Sequence, residues 1–224
     1  MNNVNKVKIR NIIDNATNGY LQADKVQELL DAALIPRAKE LVVCDKKDVI
    51  NATKEIGFPL VMKVVGPVHK SDVGGVKLNI NDENTALEFF EEMLKIKDVT
   101  GVLFQPMLSG MELFIGAKRE DKFGHLILCG LGGIFIEVLK DVQYALIPVT
   151  KQEAFDMLKS LKAYKIIEGF RGNEGINQDK FTDIIVQLSA LLEAAPEIFE
   201  MDINPLLAKS DIIIAVDARI RVEK

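Results

Sequence analysis

The segment Phe58-Pro-Leu-Val-Met-Lys-Val-Val-Gly-Pro-Val-His-Lys-Ser-Asp-Val-Gly-Gly-Val-Lys77 constrains this chain more than any other. It opens as an apolar strand with one lysine, Lys63, in its middle. A lysine among apolar neighbours is costly to bury unless an anion meets it. The loop 66–75 follows, with His69, Lys70, Ser71 and Asp72 at its tip and Gly74-Gly75 at its exit, and a second strand opens at Val76. A glycine pair lets backbone N–H groups come close to a phosphate. Histidine is the side chain that titrates nearest neutral pH. The segment is suited to handle phosphate, with Lys63 as a point charge and the loop as a flap. It is not a P-loop, because G-x-x-x-x-G-K-[ST] occurs nowhere in the chain. A lone loop histidine is more often merely solvated, and only its place on this loop makes His69 a candidate.

The rest of the composition narrows the class. The chain has 224 residues, 48% of them hydrophobic, enough for one large domain or two lobes. Its net charge of −5, with no long basic run, speaks against a nucleic-acid partner. The longest apolar runs, such as Ile212 to Val216, are too short to span a bilayer. The N-terminal residues lack a signal-peptide core, so a cytoplasmic protein is expected. Cys44 and Cys129 have no metal-like spacing and are expected to be reduced, buried thiols.

Helical and extended patterns alternate along the chain. A weak Ile9, Ile12, Ile13, Ala16 stripe predicts an N-terminal helix, and Val26, Leu29, Leu30, Ala33 and Leu34 predict a second that stops before Pro36. Strands are expected near 41–44, 59–65, 76–80, 111–118, 125–131, 134–139, 142–148, 197–203 and 211–217, and Gly101 to Met107 starts a second region. Helices are expected after Asp45 up to Gly57, around Ala86 to Leu94, from the capping box Thr150-Lys-Gln-Glu153 to about 160, and over 178–193. The pattern predicts an α+β fold in two lobes, with an extension at 1–19, an N-lobe at 20–103 and a C-lobe at 104–224. A cleft between two lobes is a common ligand site.

A metal pattern lies near the C-terminal end. Glu200, Asp202 and Asn204 sit at i, i+2 and i+4, so an extended chain presents them on one face. Ser210-Asp211 fits a two-residue hairpin loop, and that register sets Asn204 opposite Asp217. Two oxygen ligands then face one point, as Mg²⁺ prefers, with phosphate oxygens and water completing the octahedron. A solvated acidic face is the plainer alternative, against which the apolar run before Asp217 argues. Gln105-Pro106-Met107 lie where the lobes join, so backbone groups there suit an adenine edge and Glu112 suits ribose hydroxyls. Glu112 is equally compatible with a surface position on its strand. Gly130-Leu-Gly132-Gly133 misses the dinucleotide fingerprint and reads as readily as a turn.

Taken in order, these pieces resemble one family. They are Gly57-Phe-Pro-Leu-Val-Met-Lys63, His69-Lys-Ser-Asp-Val-Gly-Gly-Val76, Gln105-Pro-Met107, Gly130 to Asp141, Glu200-Met-Asp-Ile-Asn-Pro205 and Val216-Asp-Ala-Arg219. The match, over about residues 20–222, is to the nucleotide-binding β subunit of ADP-forming acetyl-CoA (acyl-CoA) synthetases, and more distantly to succinyl-CoA synthetase β subunits. His125 departs from it, standing where relatives are expected to carry proline; it is read as structural.

The resemblance implies an ATP-grasp fold whose lobes enclose a nucleotide cleft, and an acid–thiol ligase that couples acyl-CoA, ADP and phosphate to acid, CoA and ATP. ATP/ADP and Mg²⁺ are the implied cofactors. The implied partner is a CoA-binding α subunit in an α2β2 hetero-oligomer, without which the chain is catalytically incomplete. By motif, Lys63, Lys70 and Ser71 would contact phosphates, and the Gly74, Gly75 and Val76 backbone would cover them. Gln105, Pro106, Met107 and Leu108 would meet adenine, Glu112 the ribose, and Asn204 and Asp217 Mg²⁺. His69 matches a histidine on a swinging loop that relays phosphate. Asp202 or Glu200 would steady a phosphohistidine from the partner. Two other readings stay open: the ATP-grasp module of a protein acyltransferase-like chain, and a nucleotide-sensing module without synthetase activity.

Overall fold

The computed structural model describes residues 4–66, 74–133 and 135–224. In chain order the elements are α1 (Lys6–Asn15), β1 (Gly19–Tyr20), α2 (Ala23–Ala32), β2 (Leu41–Val43), α3 (Val49–Ile56), β3 (Leu60–Val65), β4 (Val76–Ile80), α4 (Glu83–Met93) and β5 (Gly101–Pro106). There follow β6 (Met111–Glu120), β7 (Gly124–Leu131), β8 (Val142–Leu146), α5 (Lys151–Lys159), α6 (Tyr164–Glu168), β9 (Gly169–Phe170), β10 (Asn173–Glu174), α7 (Gln178–Ala194), β11 (Ile198–Lys209), β12 (Ile212–Ala215) and β13 (Ala218–Val222). Two compact units result, one of residues 1–37 and 109–224 and the other of residues 38–108.

The smaller unit is a four-stranded antiparallel sheet in the order β2-β5-β3-β4. Helices α3 and α4 cover it through Val49, Ala52, Ala86, Phe90 and Met93, which pack on Leu60, Met62, Val64, Val102 and Phe104. Asp82 caps α4 by accepting from the Thr85 N–H at 2.9 Å, and Gly57 ends α3 with φ +82°. β3 is an interior strand, so Lys63 sits between Val76 on one side and Leu103 on the other rather than at an edge.

The larger unit is a seven-stranded sheet in the order β1-β13-β11-β6-β7-β8, with β12 also paired to β11. Its inward residues include Leu113, Ile115, Ala117, Ile127, Cys129, Met201, Ile203, Ile220 and Val222. They join one core with Ile9, Ile12 and Ile13 of α1, Leu29 and Leu30 of α2, Leu158 of α5, and Phe181, Ile185 and Leu188 of α7. Arg10 ties α1 to this unit by donating to both carboxylate oxygens of Glu197, at 2.7 and 2.9 Å. These contacts place residues 1–37 with the larger unit, whereas the sequence divides the chain at residues 20 and 104. The amphipathic stripe of α2 says that a face is buried but not which sheet buries it.

Three further differences have local causes. Within the segment expected as a strand over 134–139, Phe135–Leu139 form a π-helical turn. These residues connect β7 to β8, which pair with each other, and they join neither strand. Cys44 is exposed, while Cys129 is buried as expected; both are free. The last strand region is longer than its pattern predicts, with β11 running through Pro205 and β13 added after β12. Among the described residues, no helix is long and apolar enough to cross a membrane.

Candidate functional site

One long antiparallel hairpin organises the acidic residues. The Ser210-Asp211 loop joins Lys209 to its partner Ile212, as the residues predict. The same register continues through Leu206 opposite Ala215 to Ile203 opposite Ala218, Asp202 opposite Arg219 and Glu200 opposite Arg221. Between the two paired stretches, the Asn204 N–H donates to the Asp217 carbonyl at 3.1 Å and the Val216 N–H to the Pro205 carbonyl at 3.1 Å. Asn204 and Asp217 are therefore cross-strand neighbours.

The hairpin also changes phase at this point. Near the loop the inward residues are Leu206, Ala208, Ile213 and Ala215; farther along they are Met201, Ile203, Ile220 and Val222. β11 bulges against β6 between Ile203 and Leu206. A bulge re-aims side chains, and here it lies beside the Asn204–Asp217 pair. Beyond it, Glu200, Asp202, Asn204, Arg219 and Arg221 fall on the sheet face opposite the helices, all half-buried.

The charges on that face are crowded. Burial pushes the Asp202 carboxyl up to about 6; Arg219 opposes the shift, and the Asp217 and Glu200 carboxylates reinforce it. A cation would relieve this crowding. The protein donors are oxygens only, and among the described residues no group of three or more His, Cys, Asp or Glu could hold a metal ion. A sparse oxygen set fits Mg²⁺, which keeps waters and takes phosphate oxygens rather than a full protein cage.

Glu112 lies on the same unit, exposed on β6, with its carbonyl accepting from the Gly132 N–H at 2.8 Å. Gly133 adopts φ +58°, and a Cβ there would lie 2.6 Å from the Glu112 Oε2. The Gly130-to-Gly133 cluster is thus a close approach onto the Glu112 strand, and it closes the connection into the π-helical turn. Farther on, buried Asp141 accepts from the Lys162 and Ala163 N–H groups at 3.0 and 2.8 Å. His125 is 4% exposed with Nε2 2.6 Å from the Ile198 carbonyl, a structural position as the sequence indicates.

The smaller unit holds the remaining candidates. Lys63 is half-buried mid-strand, and Val76 pairs with it. The Gly75 carbonyl accepts from the Val64 N–H at 2.8 Å, and Gly74 takes φ +67°. Gln105 is 2% exposed, its Nε2 donating to Glu40 at 2.7 Å. Pro106 pairs with Leu60, and the Met107 N–H donates to the Pro59 carbonyl at 2.9 Å, leading into Leu108. His69, Lys70 and Ser71 lie outside the described residues. Glu40 was missed from sequence; an acidic residue before a short strand carries no signal of its own.

Two α+β units, one carrying a lysine on an inner strand and the other an acidic hairpin with paired oxygen donors, are the build of an ATP-grasp protein. The ATP-grasp domain model matches residues 13–222. The "Acetate--CoA ligase [ADP-forming] I subunit beta" of Pyrococcus furiosus is 40% identical over 224 residues, covering 95% of this chain and 97% of that one. The chain thus belongs to the ATP-grasp family and, within it, to the ADP-forming acetate–CoA ligase β subunits. Among solved structures, acetyl-coenzyme A synthetase 1 of Ca. Korarchaeum cryptofilum, in complex with coenzyme A and Ca-AMPCP, is 33% identical. It matches with a TM-score of 0.89 over 96% of this chain and 99% of that chain. The same enzyme with coenzyme A and Mg-AMPPCP, its phosphohistidine segment pointing towards the nucleotide binding site, is 34% identical. There the TM-score is 0.83 over 96% and 100%.

Proposed function

We infer that this chain is the nucleotide-binding β subunit of an ADP-forming acyl-CoA synthetase. It transfers a phosphoryl group between ADP/ATP and a phosphohistidine, within the overall conversion of acyl-CoA, ADP and phosphate to acid, CoA and ATP. The observation that carries this reading is the Asn204–Asp217 pair beside Asp202 and Glu200, in a chain alignable over nearly its whole length with an acetate–CoA ligase β subunit.

Phosphoryl transfer asks the protein for positioning and charge neutralisation more than covalent work. Asn204 and Asp217 would hold Mg²⁺, which when bound neutralises charge on the phosphate oxygens. Lys63 adds a fixed positive charge, and the Gly74, Gly75 and Val76 backbone supplies N–H donors. Gln105 to Leu108 take the adenine and Glu112 the ribose. Lys70 and Ser71 contact the phosphates, and His69 relays the phosphoryl group to the nucleotide. Asp202 and Glu200 steady the imidazolium side of an incoming phosphohistidine, because a carboxylate stabilises a positively charged ring. A histidine carrier splits one long transfer into two in-line steps.

The partner is an α subunit that binds CoA, assembled as α2β2 in the cytoplasm. The β-subunit name of the P. furiosus relative and the coenzyme A in the Korarchaeum complexes support a CoA-binding partner subunit. Calorimetric titration with ADP and ATP, with and without Mg²⁺, beside an Asp217→Ala variant, tests the reading. Mg²⁺-dependent binding that the variant loses is expected. Equal binding by the variant would remove Asp217 from the metal site.

A further inference from the structure

The six arginines of the chain differ in how their donors are used. Arg10 donates to Glu197 and to the Ala194 carbonyl, and Arg37 to Asp31. Arg119 donates to the Pro196 and Glu223 carbonyls, and Arg221 is paired with Glu223. Arg119 and Arg221 also stack on Phe199, and Arg171 stacks on Phe170. Arg219 is half-buried, and its guanidinium makes no hydrogen bond or ion pair with any described residue. It acts on Asp202 only through its charge. A guanidinium has five donors and no acceptor. Holding it half out of water with those donors unmet by protein is unfavourable unless an anion meets them.

Its position says where that anion would lie. Arg219 is directly opposite Asp202, and it shares the outward face with Glu200 and Asn204, two residues beyond Asp217. On the other flank of β11, Asp202 is opposite Gly116, over which the Phe114 ring lies, so the residue paired with Asp202 there brings no polar side chain. The nearby cations on this face are already engaged, Lys118 with Glu120 and Arg221 with Glu223. Arg219 thus feels the Asp202 charge but forms no hydrogen-bonded ion pair with a carboxylate of the described residues. A planar guanidinium matches phosphate oxygens in bidentate fashion, which an ammonium does not.

We propose that Arg219 is a phosphoryl-binding residue of this site, gripping the terminal phosphoryl group of the nucleoside triphosphate and of the transfer step. This rests on the nucleotide-binding reading given above and extends it to a residue that reading leaves without a role. The group that moves is present in ATP and absent from ADP, so the two nucleotides separate Arg219 from residues that hold the α- and β-phosphates.

The test compares Mg²⁺-dependent binding of ADP and of the non-transferring analogue AMPPCP to the subunit assembled with its partner. The unsubstituted protein, Arg219→Gln and Arg219→Lys are each titrated. Arg219→Gln is expected to weaken AMPPCP roughly tenfold or more, the scale of one charged hydrogen-bonded contact, while ADP stays within about twofold. Arg219→Lys is expected to fall between the two, because it keeps the charge but loses the fork. Equal weakening of ADP and AMPPCP would overturn the proposal by making Arg219 a general positioning residue, and no weakening of either would leave it a solvated side chain. If Arg219→Gln does not fold, the ADP-against-AMPPCP ratio of Arg219→Lys decides by the same criterion. Failure of the unsubstituted assembly to bind either nucleotide would instead remove the nucleotide-binding reading, and this role with it.

Discussion

The backbone N–H of Asn204 donates to the carbonyl of Asp217 at 3.1 Å, in a register that runs unbroken from Lys209–Ile212 to Glu200–Arg221. The pair stands where the buried set of both strands changes phase. The two oxygen donors are therefore positioned by the core beneath them as much as by the loop that joins their strands. A one-residue slip would turn Ile213, Ala215, Ile220 and Val222 out of the core.

Inserting one glycine between Ser210 and Asp211 separates these two influences. Burial is expected to hold the register, with the extra residue absorbed in the loop at a cost below about 1 kcal/mol. Mg²⁺-dependent ADP affinity by calorimetry should stay within about twofold. A loss of tenfold or more would show that the loop, not the core, sets the Asn204–Asp217 pairing.

Asp202 should oppose folding at neutral pH. Its folded-state carboxyl titrates near 6, above the ordinary carboxylate value, chiefly through burial. Between about pH 4 and 6 the folded state then holds a proton that the unfolded state has released, so stability falls as pH rises through that window. Asp202→Asn should raise metal-free stability by about 2–3 kcal/mol above pH 7, with no gain at pH 4. Denaturant melts at both pH values, with chelator present, check this; a gain that does not change with pH would contradict it.

Gly130 faces the carbonyl of Asp141 across the β7–β8 pairing, and a Cβ there would lie 2.6 Å from that oxygen. Backbone must move to admit it. Gly130→Ala is expected to cost about 1–3 kcal/mol, read as a lower thermal midpoint. An unchanged midpoint would mean that the edge strand β8 yields freely.

Gln105 is buried and donates to Glu40 at 2.7 Å. Removing the amide deprives a carboxylate of a charge-assisted bond, so Gln105→Leu should cost about 1.5–3 kcal/mol. Chemical denaturation of this variant beside Glu40→Gln provides the check. A neutral result for Gln105→Leu would assign the pair no weight in the smaller unit.

His125 is expected to be structural. Its buried ring meets the Ile198 carbonyl at 2.6 Å. His125→Ala should lower stability by about 2–4 kcal/mol through a cavity and a lost hydrogen bond, while Mg²⁺-dependent ADP affinity holds. A selective loss of nucleotide binding at unchanged stability would reverse that assignment.

Much of the local structure was legible in the residues. The capping box at Thr150 and Glu153 is present with both reciprocal bonds, and Gly57 ends α3. The Ser210-Asp211 loop closes its hairpin in the expected register, because a two-residue loop leaves little choice. The segment 134–139 was misread because β-branched, apolar residues fit a strand pattern whether or not they pair with one. Cys44 was misplaced because a thiol at a strand end carries no periodicity of its own.

The sequence by itself determined most of the elements, the two-lobed α+β class and the facing of Asn204 with Asp217, because caps, alternation and turn length act within a few residues. Tertiary structure alone decided that α1 and α2 belong with the larger sheet, that the buried phase of the hairpin switches beside Pro205, and that Arg219 keeps its donors while Arg221 is paired with Glu223. Those outcomes depend on which distant surfaces meet and on which partners are already taken. Spacing along a chain does not encode either.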